Sequence, residues 1–460
     1  MDDSAHDQLG LKRVLTLPAV VAVAVGMTIG AGIFVLSGIA LSFTGPSLPL
    51  AFLLSVFPVI FLMLLLAMLG STLPTTGGNY KYGSRLFSPR ISFLGIWGYM
   101  GGTLIGAFPL WALSGARYLQ AVIDLPVVPV AVAILTILFL INMIGISLAA
   151  GIQAFFVMLL ISTLIYFGIS GLPAIDSANF QPLFPEGGYG FLVAVCLLTF
   201  THLGANAIVE LGGEIRNPGR VIPRAFLISI SLVTFLYIVV AVVAAGVLPW
   251  TETAGETLTV TARVFMSEGG FYFFVICGGF LAVVTTLNAG FMWGTKSLLV
   301  MAADGIFPSG LAKISKRFNT PQRLLVIIYL IAVGAVILWG DDYLEAFAAL
   351  GSIGGIIIFI PVLGAALRLP KKAPEAYKAS TFKLKGPVLY LAVIIGGILS
   401  LIVIAILFID LWSMEMGSNF SYLFLIWLFL GFIYFELRNR KLKKEGRELK
   451  VQEKIDADSF

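Results

Sequence analysis

The chain has 460 residues, of which 59% are hydrophobic and only 12% are charged. Soluble domains carry roughly a quarter charged residues, so this composition excludes a soluble or disordered protein, and two cysteines exclude a disulfide framework. The net charge of +5 invites a nucleic-acid partner, but the distribution of the basic residues decides that question.

Apolar runs of about 20 residues, the length that spans a bilayer core, recur along the whole chain. They predict an all-α polytopic membrane protein with twelve transmembrane helices. In chain order the predicted spans are 18–43, 46–70, 91–119, 127–143, 148–171, 189–212, 225–247, 270–301, 324–339, 344–367, 387–408 and 422–435.

The basic residues orient these spans. Of the 29 Lys and Arg residues, only Arg117 and Arg263 lie in segments predicted to be external. The positive-inside rule therefore predicts cytoplasmic N- and C-termini in the cell (plasma) membrane. Residues 1–13 are polar and precede no cleavage motif, so we expect no signal peptide. The excess of basic residues is a topology signal, which favours the lipid bilayer as the partner and excludes nucleic acid.

Two predicted spans contain helix-breaking residues in their middle. The first carries three glycines in the stretch 26–32, and the sixth carries Gly204 and Asn206 in the stretch 200–206. A break in the bilayer core requires a cavity lined by protein or water. Breaks at corresponding positions of two five-span sets point to a transporter built from an inverted repeat, although glycines also permit close helix packing.

Each break would expose backbone groups of both signs. The N-terminal end of a half-helix suits a carboxylate, which Ala31, Gly32 and Ile33 would bind through their N–H groups. Free carbonyls at the other ends suit an ammonium group, so the pair of breaks predicts a site for a zwitterionic amino acid. The predicted substrate-binding residues are Thr28, Ile29, Gly30, Ala31, Gly32, Ile33, Phe200, His202, Leu203 and Asn206.

Three stretches, 26–34, 200–223 and 298–321, resemble signatures of the amino acid–polyamine–organocation superfamily in the same order. The resemblance implies alternating access around the broken helices, with Phe200 as an aromatic lid over the substrate. It also implies a core of two inverted halves of five helices, followed by two extra helices. The corresponding segments are a tail at 1–17, repeats at 18–171 and 189–367, helices 11 and 12 at 387–437, and a tail at 438–460.

The chain departs from that family pattern at two positions. Many members carry an acid where this chain has Asn206, and many carry a lysine in the fifth span, where residues 148–171 contain no Lys or Arg. The uncharged Asn206 favours neutral or zwitterionic substrates.

A sodium site is one candidate replacement for the missing lysine, because Ala282, Thr285 and Thr286 are spaced as in sodium-coupled symporters with the same core. Alternatively, the two hydroxyls bond to carbonyls one turn earlier. The candidate cation ligands are Gly26, Ile29, Ala282, Thr285 and Thr286.

Ionisable side chains at bilayer depth are functional candidates, because burying them is costly. His202 is either a proton acceptor or substrate contact, or a neutral imidazole bonded to a carbonyl. Glu210 either lines the cytoplasmic exit or, as we favour, pairs with Arg216 or Arg220. Lys296 either anchors the eighth span or closes an inner gate.

The sequence therefore predicts a secondary active transporter of amino acids, with Na⁺ or H⁺ as the co-transported ion and no other cofactor. No catalytic constellation is visible, so we expect no enzyme activity. The alternatives are a proton-coupled or exchanging amine or polyamine transporter, a cation–chloride cotransporter-like protein, and a non-transporting amino acid sensor. No oligomeric state follows from the sequence.

Overall fold

A computed structural model describes residues 13, 15–75, 77–144, 147–308, 310–311, 313–315, 318, 320–414 and 417–446, without the side chains of 147–154, 292 and 293. Most of the two predicted tails therefore lies outside the described residues. The α-helices are α1 (Leu17–Thr28), α2 (Ala31–Thr44), α3 (Leu48–Thr72), α4 (Gly78–Leu86), α5 (Pro89–Gly101), α6 (Phe108–Gln120), α7 (Val127–Ile144), α8 (Ser147–Gly171), α9 (Gly187–Thr199), α10 (Pro218–Gly246), α11 (Trp250–Thr253), α12 (Thr259–Phe265), α13 (Glu268–Phe273), α14 (Leu281–Ala303), α15 (Gln322–Trp339), α16 (Leu344–Ile357), α17 (Ile360–Lys372), α18 (Pro374–Ala379), α19 (Pro387–Ser413) and α20 (Gly417–Lys444).

Eleven segments of the described chain are long and apolar enough to cross a membrane, which confirms the predicted all-α, multi-pass membrane protein. The first, Leu17–Thr72, has 56 residues. As one straight helix it would be roughly 84 Å long, far more than the ~30 Å of a bilayer core. It is instead divided at Gly30 and at Gly45–Ser47, so that α1 with α2, and then α3, occupy the first two predicted spans. The division of the chain into two repeats stays a prediction.

Three stretches of the membrane helices change their winding. Gly102–Ala107 and Phe274–Phe280 are π-helical, and they join α5 to α6 and α13 to α14. Phe200–Glu210 continues α9 as an eleven-residue 3₁₀-helix. Irregular backbone at membrane depth is tolerated where protein surrounds it, and the side chains of Gly102–Ala107 are all buried. The predicted break in the sixth span is therefore a change of helix type that leaves the helix continuous.

The breaks lie in the middle of the bundle, and α7, α19 and α20 lie at its periphery. α1 packs on the 3₁₀-helix and on α10, while α10 packs along α3. In contrast, α7, α19 and α20 turn large apolar side chains outward, with Ile144, Leu401 and Phe429 each more than 60% exposed. Such an exposed apolar surface suits contact with lipid.

A reciprocal pair of tryptophans joins α20 to α5. The indole N–H of Trp97 donates to the Trp427 carbonyl at 2.7 Å, and that of Trp427 donates to the Trp97 carbonyl at 2.8 Å. Their rings stack with centroids 4.5 Å apart. Gly101 and Gly431 supply the space, because a Cβ atom at either position would overlap the opposite indole. The two helices therefore pack as one unit.

A short helix, α4 (Gly78–Leu86), follows α3 and is bound to a distant helix. Arg85 of α4 makes a bidentate ion pair with Asp304 at the end of α14, at 2.7 and 2.8 Å. Burial, followed by the charge of Arg85, lowers the pKa of Lys81 on the same helix. α4 is therefore an ordered, charged element held against α14.

Candidate functional site

A cavity lies where the break between α1 and α2 meets the 3₁₀-helix. The volume of this cavity is about 70 Å³, which is room for several water molecules. Most of its lining is backbone or apolar side chain, and the amide of Asn206 is one of the few polar groups. The lining residues are Met27, Thr28, Gly30, Ala31, Gly32, Tyr99, Trp111, Phe200, Thr201, Leu203, Gly204, Asn206, Thr286, Ala289 and Gly355.

The N-terminus of α2 points into this cavity. The first turn of a helix leaves N–H groups without partners in the helix and carries a partial positive charge. Thr286 of α14 satisfies one of them, because its hydroxyl accepts the Ala31 N–H at 2.7 Å. The fit depends on Gly30, where a Cβ atom would overlap the same hydroxyl oxygen. The wall at this point is therefore a helix N-terminus capped by a neighbouring helix.

The two breaks touch each other through backbone. A Cβ atom at Gly204 would overlap the Met27 carbonyl and lie 2.6 Å from the Thr28 amide nitrogen, so glycine is required for this approach. The hydroxyl of Tyr237 bridges the same pair, donating to the Thr28 carbonyl at 2.7 Å, with the Thr201 carbonyl at 3.3 Å. The Thr28 carbonyl, at the end of α1, thus already accepts a hydrogen bond, and its second lone pair remains for an ammonium group.

Phe200 forms an aromatic wall of the cavity. Its ring stacks on Trp111 of α6, with centroids 6.0 Å apart and an angle of 19° between the planes. The ring also packs on Gly355 of α16, where a Cβ atom would lie 2.7 Å from it. The resemblance predicts an aromatic lid at Phe200, and its position in the cavity wall is compatible with that role.

The chain matches the family model for amino acid permeases over residues 15–430. This chain belongs to the amino acid permease family. Among its relatives, a branched-chain amino acid permease of Bacillus subtilis is 26% identical over 459 residues, covering 94% of each chain. A methylthioribose transporter of the same organism is 26% identical, also over 94% of each chain. A vacuolar cationic amino acid transporter of Arabidopsis thaliana is 27% identical over 81% of this chain and 62% of the relative.

The three-residue turn of the permease's 3₁₀-helix arranges its side chains in three rows. Residues three apart in such a helix stand in one row, which places Phe200, Leu203 and Asn206 along the cavity. The next row brings Thr201 and Gly204 to the same wall. The third row, which begins with His202, faces away from the cavity.

His202 therefore lies outside the site, although it was predicted as a substrate-binding residue. It is 1% exposed, and its Nδ1 atom is 3.2 Å from the Thr201 hydroxyl and 3.4 Å from both the Ser55 hydroxyl and the Leu198 carbonyl. Its ring packs edge-on to that of Tyr237. This is the arrangement expected of a neutral imidazole between helices, so substrate contact by His202 does not enter our proposal. The side chains of Ile29 and Ile33 are likewise fully buried outside the cavity.

The residues predicted to bind sodium fit that ion poorly in this structure. The hydroxyls of Thr285 and Thr286 both donate to the Ala282 carbonyl, at 2.9 and 2.8 Å. Thr286 also accepts the Ala31 N–H, and Val157 of α8 lies where a side chain at Gly26 would be. Both lone pairs of the Ala282 carbonyl are thus occupied, and so is one lone pair of the Thr286 hydroxyl, which leaves this carbonyl none for a cation. The geometry matches the alternative, in which the hydroxyls bond to a carbonyl one turn earlier.

Glu210 does not make the arginine pairing that we favoured. Its carboxylate accepts the backbone N–H of Asn79 at 3.1 Å, at the start of α4, and the side chain is 1% exposed. The ion pairs of the described residues include neither Arg216 nor Arg220. Arg216 instead donates to the Arg13 carbonyl, beside a backbone pairing of Leu15 with the loop after the 3₁₀-helix.

The sequence did not indicate several residues of the cavity. Tyr99, Trp111, Ala289 and Gly355 come from α5, α6, α14 and α16, which are far apart in the chain. Their stretches carry no break or charge that marks them. Met27, Thr201 and Gly204 adjoin predicted site residues, and a three-residue period counted from Thr201 joins Thr201 to Gly204 in one row.

Proposed function

We propose that this permease carries neutral amino acids with apolar side chains across the plasma membrane by alternating access, with both termini in the cytoplasm. The observation that carries the proposal is the N-terminus of α2 opening onto a cavity between two helix breaks. A helix N-terminus favours a carboxylate, and the carbonyls across the cavity favour an ammonium group. An α-amino acid carries both groups a few ångströms apart.

The substrate class follows from the remaining walls. Met27, Trp111, Phe200, Leu203 and Ala289 offer apolar surface to a side chain, and no charged residue lines the cavity in the described part of the chain. A cationic side chain buried there would lack a counter-charge, which is costly. We therefore favour branched-chain or similar apolar amino acids over cationic ones. The similarity to the branched-chain amino acid permease of Bacillus subtilis agrees with this preference.

Alternating access would use the two predicted repeats, residues 18–171 and 189–367, with 387–437 as additional helices. In such transporters the substrate site lies near the bilayer midplane at the broken helices, and one group of helices rocks against the other. The contact of the two breaks at Gly204 supports treating α1, α2 and the 3₁₀-helix as one moving group.

A sodium-independent mechanism, driven by protons or by exchange, is the coupling mode that we favour. The supporting observation is the Ala282 carbonyl, which accepts hydrogen bonds from both threonine hydroxyls and so has no lone pair left for a cation. Sodium coupling through these residues is the competing proposal.

Ligand-dependent thermal unfolding of the purified permease tests both points. L-leucine at about 100 times its dissociation constant should stabilise the protein by roughly 2.7 kcal/mol, equally in sodium and in choline buffer. L-lysine should have no effect on the wild type, whereas Asn206→Asp should gain stabilisation by L-lysine. Stabilisation by L-lysine alone would contradict the substrate class. Stabilisation by L-leucine only in sodium would contradict the coupling mode.

A further inference from the structure

Glu210 ends the 3₁₀-helix outside the cavity and docks onto the start of α4. Its Oε1 atom accepts the Asn79 N–H at 3.1 Å, and its backbone carbonyl lies 3.4 Å from the Gly77 amide nitrogen that donates to it. The other carboxylate oxygen, Oε2, is buried without a hydrogen-bond partner among the described residues, as are both polar side-chain atoms of Asn79. A carboxylate with an unused oxygen beside an unused amide is a costly arrangement, and it calls for a functional explanation.

The start of α4 and the end of the 3₁₀-helix approach each other closely through their backbones. A Cβ atom at Gly78 would lie 2.6 Å from the Val209 carbonyl oxygen, and one at Gly212 would lie 2.7 Å from the Thr75 carbonyl oxygen. No side chain separates α4 from the end of the 3₁₀-helix at these points. The Glu210 carboxylate is therefore the only ionisable group in the described contact that belongs to the 3₁₀-helix.

Charged and titratable groups of three other elements face this carboxylate. Lys81 on α4 and Lys296 on α14 lie close enough for their charges to act on it, and so do the phenols of Tyr82 on α4 and Tyr99 on α5. The two cations and the N-terminus of α4 favour the ionised carboxylate, whereas burial disfavours it. The ionised form therefore depends on α4 remaining in place.

On its other side α4 is fastened to α14. The bidentate pair of Arg85 and Asp304 makes this link, and both side chains are largely buried, at 13% and 6% exposure. α4 thus contacts both the 3₁₀-helix and α14, and both of these elements line the cavity. A cytoplasmic gate at this place would consist of α4, and opening it would require the contact at Glu210 to separate.

We propose that Glu210 is a proton-binding site that controls this cytoplasmic gate, an inference that rests on the proposed transport function. The ionised carboxylate holds α4 against the 3₁₀-helix. When Oε2 takes a proton from water, it becomes an O–H group, and the carboxyl loses its charge and its strong bond to the Asn79 N–H. α4 then separates, the gate opens, and the proton returns to cytoplasmic water as the gate closes.

Hydrogen–deuterium exchange of the full-length permease at pH 7 tests the gate without any substrate. Glu210→Gln mimics the protonated side chain, so backbone amides of residues 77–86 should exchange about tenfold faster than in the wild type. Glu214→Gln removes the same charge four residues further on and should leave these amides unchanged. Equal exchange in the Glu210→Gln variant and the wild type would overturn the proposal.

Counterflow of L-leucine in proteoliposomes tests the coupling. The wild-type rate should rise as the pH falls, and Glu210→Gln should be fast and independent of pH. A pH dependence that survives in Glu210→Gln, or a wild-type rate that does not vary with pH, would overturn the inference while leaving transport established. Absence of counterflow with any amino acid in the wild type would instead overturn the proposed function, and the exchange experiment would still decide on the gate.

Lys296→Gln provides a second test if Glu210→Gln fails to fold. Loss of this cation makes the ionised carboxylate less favourable, so α4 should lose its protection at a higher pH than in the wild type. An unchanged midpoint would show that the carboxylate does not control the gate.

Discussion

Replacing Thr286 by alanine tests whether its hydroxyl caps α2 or instead contacts the substrate or a cation. In the structure the hydroxyl caps α2. The hydroxyl accepts the Ala31 N–H at 2.7 Å and donates to the Ala282 carbonyl at 2.8 Å. In Thr286→Ala the carbonyl keeps its bond from Thr285 at 2.9 Å, so the Ala31 N–H is the group left without its partner. Leaving a buried donor unsatisfied costs about 1–3 kcal/mol. Since Thr286 lines the cavity, where water can reach it, we expect the lower end, about 1 kcal/mol.

A substrate carboxylate at the N-terminus of α2 would recover this free energy by accepting the stranded N–H. Thr286→Ala should therefore be less stable than wild type without ligand, yet bind L-leucine about fivefold more tightly, the factor equivalent to ~1 kcal/mol. Thr286→Ser keeps the hydroxyl and should match the wild type in both respects.

Calorimetric titration of L-leucine in choline buffer, together with thermal unfolding, measures both effects. Binding by Thr286→Ala that is tenfold weaker than by Thr286→Ser would refute the reasoning. In that case the hydroxyl itself would contact the substrate or a cation, and sodium coupling would return as the better proposal.

Three further changes test the packing around the site, each by thermal unfolding of the purified protein. Gly204→Ala should destabilise the protein by roughly 1–3 kcal/mol, because the added Cβ atom overlaps the backbone at the end of α1. Gly334→Ala is the control, because open space surrounds this position. Equal effects of the two changes would contradict the close contact. Gly32→Val should lower both L-leucine binding and stability, since its Cβ meets the 3₁₀-helix at 3.2 Å, and unchanged affinity would contradict our placement of the carboxylate. Asp304→Asn should cost about 3 kcal/mol by leaving Arg85 buried without its counter-charge, and adding Arg85→Met should restore part of the loss; additive losses would show that the pair contributes no coupling.

The sequence predicted the parts of the fold that depend on local chemistry. Apolar runs located the membrane helices, and Gly30 and Gly204 with their neighbouring residues located the breaks. Each of these signals depends only on residues that are close together in the sequence. The type of break was not predictable in this way. A 3₁₀-helix and an unwound stretch have the same composition, but only the former turns Phe200, Leu203 and Asn206 to one side and His202 to the other.

The remaining differences arise from contacts between distant segments. Glu210 has arginines nearby in the sequence, but the structure brings the N-terminus of α4 to it, which is more than 120 residues away in the chain. Trp111 and Gly355 reach the cavity in the same way, from two helices that both contact Phe200. Pairing arguments based on sequence spacing apply only within a helix, so they could not anticipate these neighbours.

The reciprocal hydrogen bonds of Trp97 and Trp427 connect a lipid-facing helix to a helix that lines the cavity. α20 presents much of its surface to lipid, and through the tryptophans it is fixed to α5, where Tyr99 lines the cavity two residues after Trp97. Inside a bilayer core no water would replace either bond if the helices slid apart. A tilt of α20 that accommodates a thinner or thicker membrane would therefore reach the cavity wall through two residues of α5. We thus expect the shape of the cavity to respond to the thickness of the bilayer around it.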